Sequence, residues 1–234
     1  MTAPRRIGIL GGMGPEATVL LMSRLIAATP ATDDSDHVPL TVDMNPQVPS
    51  RIARLIEGRG EDPGPVLAAM AAGLQRSGVE ALAMPCNTAH HYAKVIREAV
   101  TIPLLDMVDL ATRQAAQHVG HGGSVGILGS PALQQTRIFD DMLARHGCKA
   151  VYATDQAALL TAIREIKRAG PTPEARAALA NSARDIAEQG AAMQLVACTE
   201  FSLIADAATD YAPVLDTLDV LVEAMLAFAQ PMTA

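Results

Sequence analysis

The chain has few of the residues that recognise nucleic acids. Among its 234 residues there is no tryptophan, there are only three tyrosines and three phenylalanines, and no block of lysine or arginine occurs. The formal net charge is -7. A protein that tracks phosphates needs a basic surface, and one that binds single strands also needs aromatic side chains for stacking. The composition therefore argues against a nucleic-acid partner.

Long apolar runs are missing as well. No run reaches the roughly 18 residues that a membrane-spanning helix requires. The first apolar stretch is broken by Gly8, Gly11, Gly12 and Gly14, so it lacks the core of a signal peptide. The three cysteines are an odd number and lie far apart. We therefore expect no membrane contact, free thiols and a reducing, cytoplasmic location.

Half of the residues are hydrophobic, which suffices for the core of one large domain or two small ones. Short runs rich in valine, isoleucine and leucine alternate with longer stretches of helical pattern. Continuous apolar strands separated by helices are typical of parallel sheets that are covered on both faces, so the fold class is α/β. The predicted strands are 6–10, 39–43, 81–84, 125–128, 149–153 and 195–197.

Three landmarks recur in the same order and at nearly the same offset, which indicates internal duplication. Residues 7–11 return as 125–129, and residues 103–106 return as 213–216. The third landmark is Cys86-Asn87-Thr88, which returns as Cys198-Thr199-Glu200. We therefore predict two similar lobes, each a parallel sheet flanked by helices, related by a pseudo-twofold axis.

A glycine cluster at 120–123 marks the boundary between the lobes. The final helix, predicted over 218–229, is expected to pack back on the first lobe. The first lobe then comprises residues 1–119 with 216–234, and the second comprises 120–215. The active site is expected in the cleft between them.

Cys86 and Cys198 each follow an apolar run and precede a helix-like segment, so each should stand at the carboxyl end of a strand, where α/β sheets bind ligands. A helix N-terminus would favour the thiolate and lower the thiol pKa. A lone cysteine is more often a small buried hydrophobe. The polar residues that follow both thiols favour a functional role, whereas Cys148 has no repeat partner and is interpreted as structural.

The turn Gly11-Gly12-Met13-Gly14-Pro15-Glu16-Ala17 joins a predicted strand to a predicted helix. Its backbone N–H groups could hold a carboxylate or a phosphate. The turn also contains a weak match to the dinucleotide fingerprint. Asp43, however, comes later than the usual ribose-binding acid, so a small carboxylate fits the turn at least as well as a dinucleotide.

These motifs resemble the aspartate/glutamate racemase family, most of all its aspartate racemase branch. The resemblance covers nearly the whole chain. It implies two similar α/β lobes, a cleft site for a small amino-acid substrate, no cofactor and assembly as a homodimer. The motifs that carry it are residues 8–18, Asn45-Pro46-Gln47-Val48-Pro49-Ser50-Arg51, Pro85-Cys86-Asn87-Thr88-Ala89-His90 and Cys198-Thr199-Glu200.

The resemblance also implies a two-base mechanism. One cysteine, as thiolate, removes the Cα proton while the other, as thiol, delivers a proton to the opposite face. By this likeness Cys86 acts on the D-enantiomer and Cys198 on the L-enantiomer. The implied substrate-binding residues are Met13 and Gly14 in the glycine turn, Gln47 and Arg51 for the side chain, Asn87, Thr88 and Thr199 for the α-carboxylate, Ser130 through its hydroxyl, and Lys167 for the distal carboxylate.

His90 and Glu200 are expected to support the cysteines. His90 and His91 also suggest a metal or a Cys-His pair, but adjacent histidines point to different sides of a helix and no acidic ligand stands at zinc spacing. No metal is therefore expected. Among the departures from aspartate racemases, Leu133 stands where a second hydroxyl is common, and Ala197 replaces the common glycine before the second cysteine.

Two alternatives stay open at this point. One is a cysteine-dependent isomerase or decarboxylase of a small dicarboxylate, such as maleate isomerase or arylmalonate decarboxylase. The other is a non-catalytic protein that retains the cleft and binds an acidic amino acid. The sequence favours a racemase acting on aspartate or glutamate.

Overall fold

Two parallel four-stranded sheets organise the computed structural model, which describes residues 4–230. The strands are β1 (Ile7–Gly11), β2 (Leu40–Met44), β3 (Ala81–Ala83), β4 (Leu104–Leu105), β5 (Ser124–Leu128), β6 (Lys149–Tyr152), β7 (Met193–Val196) and β8 (Val214–Asp216). The first sheet has the order β2-β1-β3-β4 and the second has the order β6-β5-β7-β8, with every neighbouring pair parallel. The same order in both sheets confirms the predicted α/β class with two similar halves.

Helices cover both sheets, and their ends follow local signals. Proline occupies the first turn of the four helices that begin at residues 15, 64, 131 and 173, where its missing N–H leaves no bond unmade. Short 3₁₀ turns occur at Asp34–Asp36, Thr88–Tyr92, Phe201–Leu203 and Ala205–Ala208. The α-helices are α1 (Pro15–Ala28), α2 (Arg51–Leu55), α3 (Gly64–Arg76), α4 (Ala93–Ala99), α5 (Met107–Val119), α6 (Pro131–Thr136), α7 (Ile138–Arg145), α8 (Gln156–Ala169), α9 (Pro173–Glu188) and α10 (Thr217–Ala229).

The last helix, α10, packs against β1 and α1. Its buried Leu218 and Leu221 share one apolar cluster with Ile7 and Leu21. The chain thus crosses back after β8 to cover the first sheet. The lobe limits 1–119 with 216–234 and 120–215 stay a prediction, and residues 1–3 and 231–234 within them lie outside the described residues.

A repeated aspartate caps the helix that follows the last strand of each sheet. Asp106 Oδ1 accepts hydrogen bonds of 3.0 Å from two backbone N–H groups of α5, and Asp216 Oδ1 accepts one of 2.9 Å from α10. Each carboxylate also pairs with an arginine, Arg97 at 2.6 Å and Arg24 at 2.7 Å. Asp106 and Asp216 are the last residues of the repeated segments 103–106 and 213–216. The duplication therefore includes the residues that cap these two helices.

Replacing Asp106 should destabilise the protein in a pH-dependent way. Burial would raise the pKa of the Asp106 carboxyl, but His90 once it is protonated at low pH, the backbone N–H of Asp109 and the Arg97 guanidinium outweigh it and lower the pKa. Because the pKa of Asp106 is lower in the folded state than in the unfolded state, its carboxylate stabilises the fold at pH values above the unfolded-state pKa, which is near 4. This stabilisation is lost as the pH falls through the folded-state pKa. We expect Asp106→Ala to reduce the free energy of unfolding by about 2 kcal/mol at pH 7.

Urea unfolding at pH 7 and pH 3 measures this effect, and Asp109→Asn is the matched control. Asp109 pairs with Arg113 on the exposed side of the same helix turn. An exposed pair contributes little, so the control should change stability by less than about 1 kcal/mol. Equal losses in the two variants, or a loss for Asp106→Ala that is as large at pH 3 as at pH 7, would contradict the prediction.

Candidate active site

A small cavity of about 40 Å³ lies where the loops after β1 and β3 meet those after β5 and β7. Carboxyl ends of parallel strands are the usual place for ligands in such sheets. Residues of α2 and α8 complete its wall. The lining residues are Met13, Ser50, Arg51, Ile52, Cys86, Asn87, Thr88, Ser130, Ile163, Lys167, Ala197, Cys198, Thr199 and Glu200.

Most of the residues predicted for the site line this cavity, including both cysteines. Gly14 and Gln47 do not; they line an adjoining outer cavity of about 700 Å³. Four residues line both cavities and therefore stand at the passage between them: Ser50, Arg51, Lys167 and Glu200.

Four lining residues were not among the predicted site residues: Ser50, Ile52, Ile163 and Ala197. Ile163 could have been found, because it precedes Lys167 by one helical turn and so shares its face. Ser50 could also have been found, because it directly precedes the predicted Arg51 in the motif 45–51. No sequence signal points to Ile52.

Cys86 is held through its backbone. Its carbonyl accepts a 2.9 Å hydrogen bond from His90 Nδ1, while His90 Nε2 accepts one of 3.1 Å from the backbone N–H of Met107. These partners place the proton of the ring on Nδ1. Burial lowers the pKa of His90, which favours the neutral ring. His90 thus holds the backbone of Cys86 in place, and it does not itself line the cavity.

Cys198 has a different environment, because its thiol contacts a carboxylate. The S–H group donates to Glu200 Oε2 at 3.0 Å. Burial and then the negative charge of Glu200 raise the pKa of Cys198 well above its ordinary value, although Lys167 opposes them. The expected lowering of this pKa is therefore wrong. The segment after Cys198 is a three-residue 3₁₀ turn rather than an α-helix, so little dipole is available to offset burial.

Asn87 is oriented by Thr217, the first residue of α10. Its Nδ2 donates to Thr217 Oγ1 at 2.9 Å, and the Thr217 hydroxyl donates to the carbonyl of Val196 at 2.9 Å. Because that hydroxyl proton is committed, Thr217 can only accept from the amide. Asn87 Oδ1 is then left buried without a hydrogen-bond partner in the described residues. It is an acceptor available to a ligand.

Arg51 connects the glycine turn to the loop before α2. Its guanidinium donates to the carbonyls of Val48 at 3.3 Å, Pro49 at 3.1 Å and Met13 at 3.3 Å. Its Nε is buried and has no partner in the described part of the chain. A buried donor without a partner costs free energy, so this N–H suits an anionic ligand.

An ion pair also joins the two halves of the chain. Arg164 of α8 binds Glu57, which follows α2, with an N–O distance of 2.8 Å.

In the glycine turn, the N–H of Gly12 donates to Thr18 Oγ1 at 3.0 Å and so does not face an anion. The turn positions Met13 rather than binding a ligand through that group.

Within residues 4–230, none of the helices combines the length and apolar character that crossing a membrane requires. In the same range, His, Cys, Asp and Glu side chains form no cluster of three or more that could hold a metal ion.

Sequence comparison decides the family. The model of the Asp/Glu/Hydantoin racemase family matches residues 10–225. The chain belongs to this family. The resemblance predicted from the motifs is thereby confirmed, and the chain is a PLP-independent amino-acid racemase, an isomerase.

Individual relatives also match nearly the whole length of the chain. The broad specificity amino-acid racemase RacX of Bacillus subtilis is 26% identical over 217 residues, which cover 90% of this chain and 92% of RacX. Picrophilus torridus aspartate racemase is 29% identical with a TM-score of 0.84, covering 96% of this racemase and 94% of that chain. PH1733, an aspartate racemase homologue from Pyrococcus horikoshii, is 20% identical with a TM-score of 0.76. The match covers 96% of this racemase and 99% of PH1733, and it shows that the two share a fold.

Proposed function

We propose that this racemase interconverts L- and D-aspartate or L- and D-glutamate by proton transfer between Cys86 and Cys198. The observation that carries the proposal is that both thiols line one small cavity, each from the end of a different sheet. A planar carbanion between two such groups can lose a proton to one and gain a proton from the other. Racemisation needs only these two groups and a means to hold the substrate.

The cavity offers groups for each part of an acidic amino acid. Asn87 Oδ1 is a free acceptor, which suits the α-ammonium group better than the α-carboxylate that the resemblance implies. The hydroxyls of Thr88, Ser130 and Thr199 can donate to the α-carboxylate. Arg51 and Lys167, the cations of the lining, favour a second carboxylate on the substrate side chain. Gly14 and Gln47 then border the outer passage.

The mechanism requires one thiolate and one thiol at the same moment. The thiolate takes the Cα proton, the other thiol gives its proton to the opposite face, and the two cysteines have exchanged states. Their titrations therefore belong to the pair. With its raised pKa, Cys198 is a thiol in the empty enzyme.

A panel of L- and D-amino acids in D₂O, followed by chiral chromatography and mass spectrometry, tests the proposed function. We expect aspartate or glutamate to give the opposite enantiomer with one deuterium at Cα, because the delivering thiol exchanges with solvent. RacX is named for broad specificity and the Picrophilus protein for aspartate, so the panel should include neutral and basic amino acids. Absence of deuterium from both acidic amino acids would reject the proposal, and conversion of maleate would support the isomerase instead.

Two further predictions accompany the proposal. The resemblance implies a homodimer, which light scattering on a sizing column would test. The free thiols fit a cytoplasmic location, since Cys86, Cys148 and Cys198 are all unbridged.

A further inference from the structure

Glu200 is shared between a thiol and an ammonium group. Its Oε2 accepts the Cys198 S–H at 3.0 Å, and its Oε1 lies 3.1 Å from Lys167 Nζ. The side chain of Glu200 is only 10% exposed, whereas that of Lys167 is 39% exposed and stands at the passage between the two cavities. The carboxylate therefore joins the catalytic thiol to a cation that an incoming ligand can reach.

Only one of the two cysteines has such a partner. No carboxylate is hydrogen-bonded to the Cys86 thiol in the part of the chain that the structure describes, where its bonds involve the backbone. The asymmetry follows from the sequence, since Asn87 follows Cys86 while Thr199-Glu200 follows Cys198. Cys198 alone can pass its proton directly to a neighbouring carboxylate.

The ammonium group of Lys167 is under competing demands once a substrate arrives. Burial would lower the pKa of Lys167, but the negative charge of Glu200 raises it, as do Cys198 and Cys86 whenever either is a thiolate, so Lys167 is a cation. A second carboxylate that enters the cavity must draw on the same cation. A carboxylate that shares or loses its cation binds a proton more readily.

We propose that the Lys167–Glu200 ion pair is a switch operated by the distal carboxylate of the substrate, and that Glu200 is the group that accepts the proton of Cys198. The distal carboxylate draws Lys167 away from Glu200. The S–H bond of Cys198 then breaks, an O–H bond forms on Glu200, and the thiolate that remains takes the Cα proton. Cys86 gives its proton to the opposite face, and Glu200 returns the stored proton through water to Cys86.

This inference deepens the proposed function and rests on it, because it needs Cys198 as a base. Its consequence is selectivity at the chemical step. An acidic amino acid activates Cys198 by binding, whereas a neutral amino acid of the same shape binds without releasing Glu200. Discrimination of this kind appears in the rate of proton removal as well as in affinity.

Lys167→Met distinguishes a switch from a residue that only binds the side chain. Proton exchange at Cα in D₂O is measured by NMR for L-aspartate and for its neutral analogue L-asparagine. If Lys167 restrains Glu200, its removal should raise the exchange rate of asparagine about tenfold while that of aspartate falls about tenfold. If Lys167 only binds the distal carboxylate, the asparagine rate stays as it is or remains undetectable, and this result overturns the proposal.

Two companion variants define the switch. Glu200→Gln keeps an acceptor beside Cys198 but cannot take its proton as a carboxylate does, so exchange of both substrates should fall about 10²-fold. Arg168→Met on the same helix is the matched control, since Arg168 is exposed and lines neither cavity. Its rates should equal those of the unmodified enzyme.

A measurement on the unmodified enzyme keeps the proposal testable if a variant fails to fold. Alanine and formate together supply the methyl and carboxylate that aspartate carries in one molecule. The switch predicts that formate accelerates Cα exchange of alanine several-fold and saturably, and that Glu200→Gln loses this response. No acceleration by formate at any concentration contradicts the switch.

The two levels of failure are distinguishable. If the unmodified enzyme exchanges the Cα proton of neither acidic amino acid, the proposed function fails together with the switch. If it racemises aspartate while Lys167→Met leaves asparagine unchanged and formate has no effect, the proposed function stands and the switch alone is overturned.

Discussion

Replacing either Cys86 or Cys198 with alanine should lower the rate of racemisation by about 10³- to 10⁴-fold. Each thiol serves one face of Cα, so an enzyme with one thiol can remove a proton but cannot deliver one to the opposite side. The equilibrium constant between enantiomers is one, so kcat/KM must fall equally in both directions. Circular dichroism of aspartate solutions incubated with each variant measures the loss.

The single variants should still exchange protons on one enantiomer. With Cys86 absent, Cys198 can take and return the Cα proton on its own side, and by resemblance this is the side of the L-amino acid. Deuterium should therefore enter L-aspartate without inversion in Cys86→Ala, and D-aspartate in Cys198→Ala. Full racemisation by either variant would falsify the two-base mechanism.

Cys148→Ala is the control for these variants. The Cys148 thiol is buried against the carbonyl of Gly120 and does not line the cavity. Its removal should leave the racemisation rate unchanged. Loss of a small buried group at this position should affect stability alone, by about 1 kcal/mol.

The sequence predicts the fold well because its signals are local and repeated. Each predicted strand coincides with an observed one to within two residues. The duplicated landmarks at Cys86 and Cys198 predict two similar halves, which the identical strand orders confirm. Apolar runs, glycine turns and helix caps depend on residues that are close in sequence, so they can be recognised without knowledge of the tertiary structure.

The electrostatics of the site could not be predicted in the same way. Burial of Cys198 reverses the expected direction of its pKa, and burial is a property of the packed structure. The contact of Asn87 with Thr217 joins residues 130 positions apart. Lys167 reaches Glu200 only because α8 lies beside the loop after β7. The motifs identify the residues of the site, but only the folded structure shows which of their polar atoms already have hydrogen-bond partners and which can bind a ligand.

Gly12→Ala should be among the most damaging single substitutions in the glycine turn. Gly12 has a φ of +89°, and a Cβ added there would lie 2.3 Å from the backbone carbon of Asn45. The left-handed conformation costs a non-glycine residue about 1–2 kcal/mol, and overpacking costs about 1–3 kcal/mol more. We therefore expect the free energy of unfolding to fall by about 3 kcal/mol, as measured by urea denaturation.

Gly78→Ala separates the two contributions. Gly78 has nearly the same φ, +85°, but a Cβ there would meet nothing within 4 Å. It should therefore lose about 1 kcal/mol through strain alone and keep its activity. In Gly12→Ala the displaced turn should also move Met13, whose carbonyl binds Arg51 at 3.3 Å, so racemisation falls as well. Equal stability and equal activity in the two variants would show that the contact with Asn45 does not constrain the site.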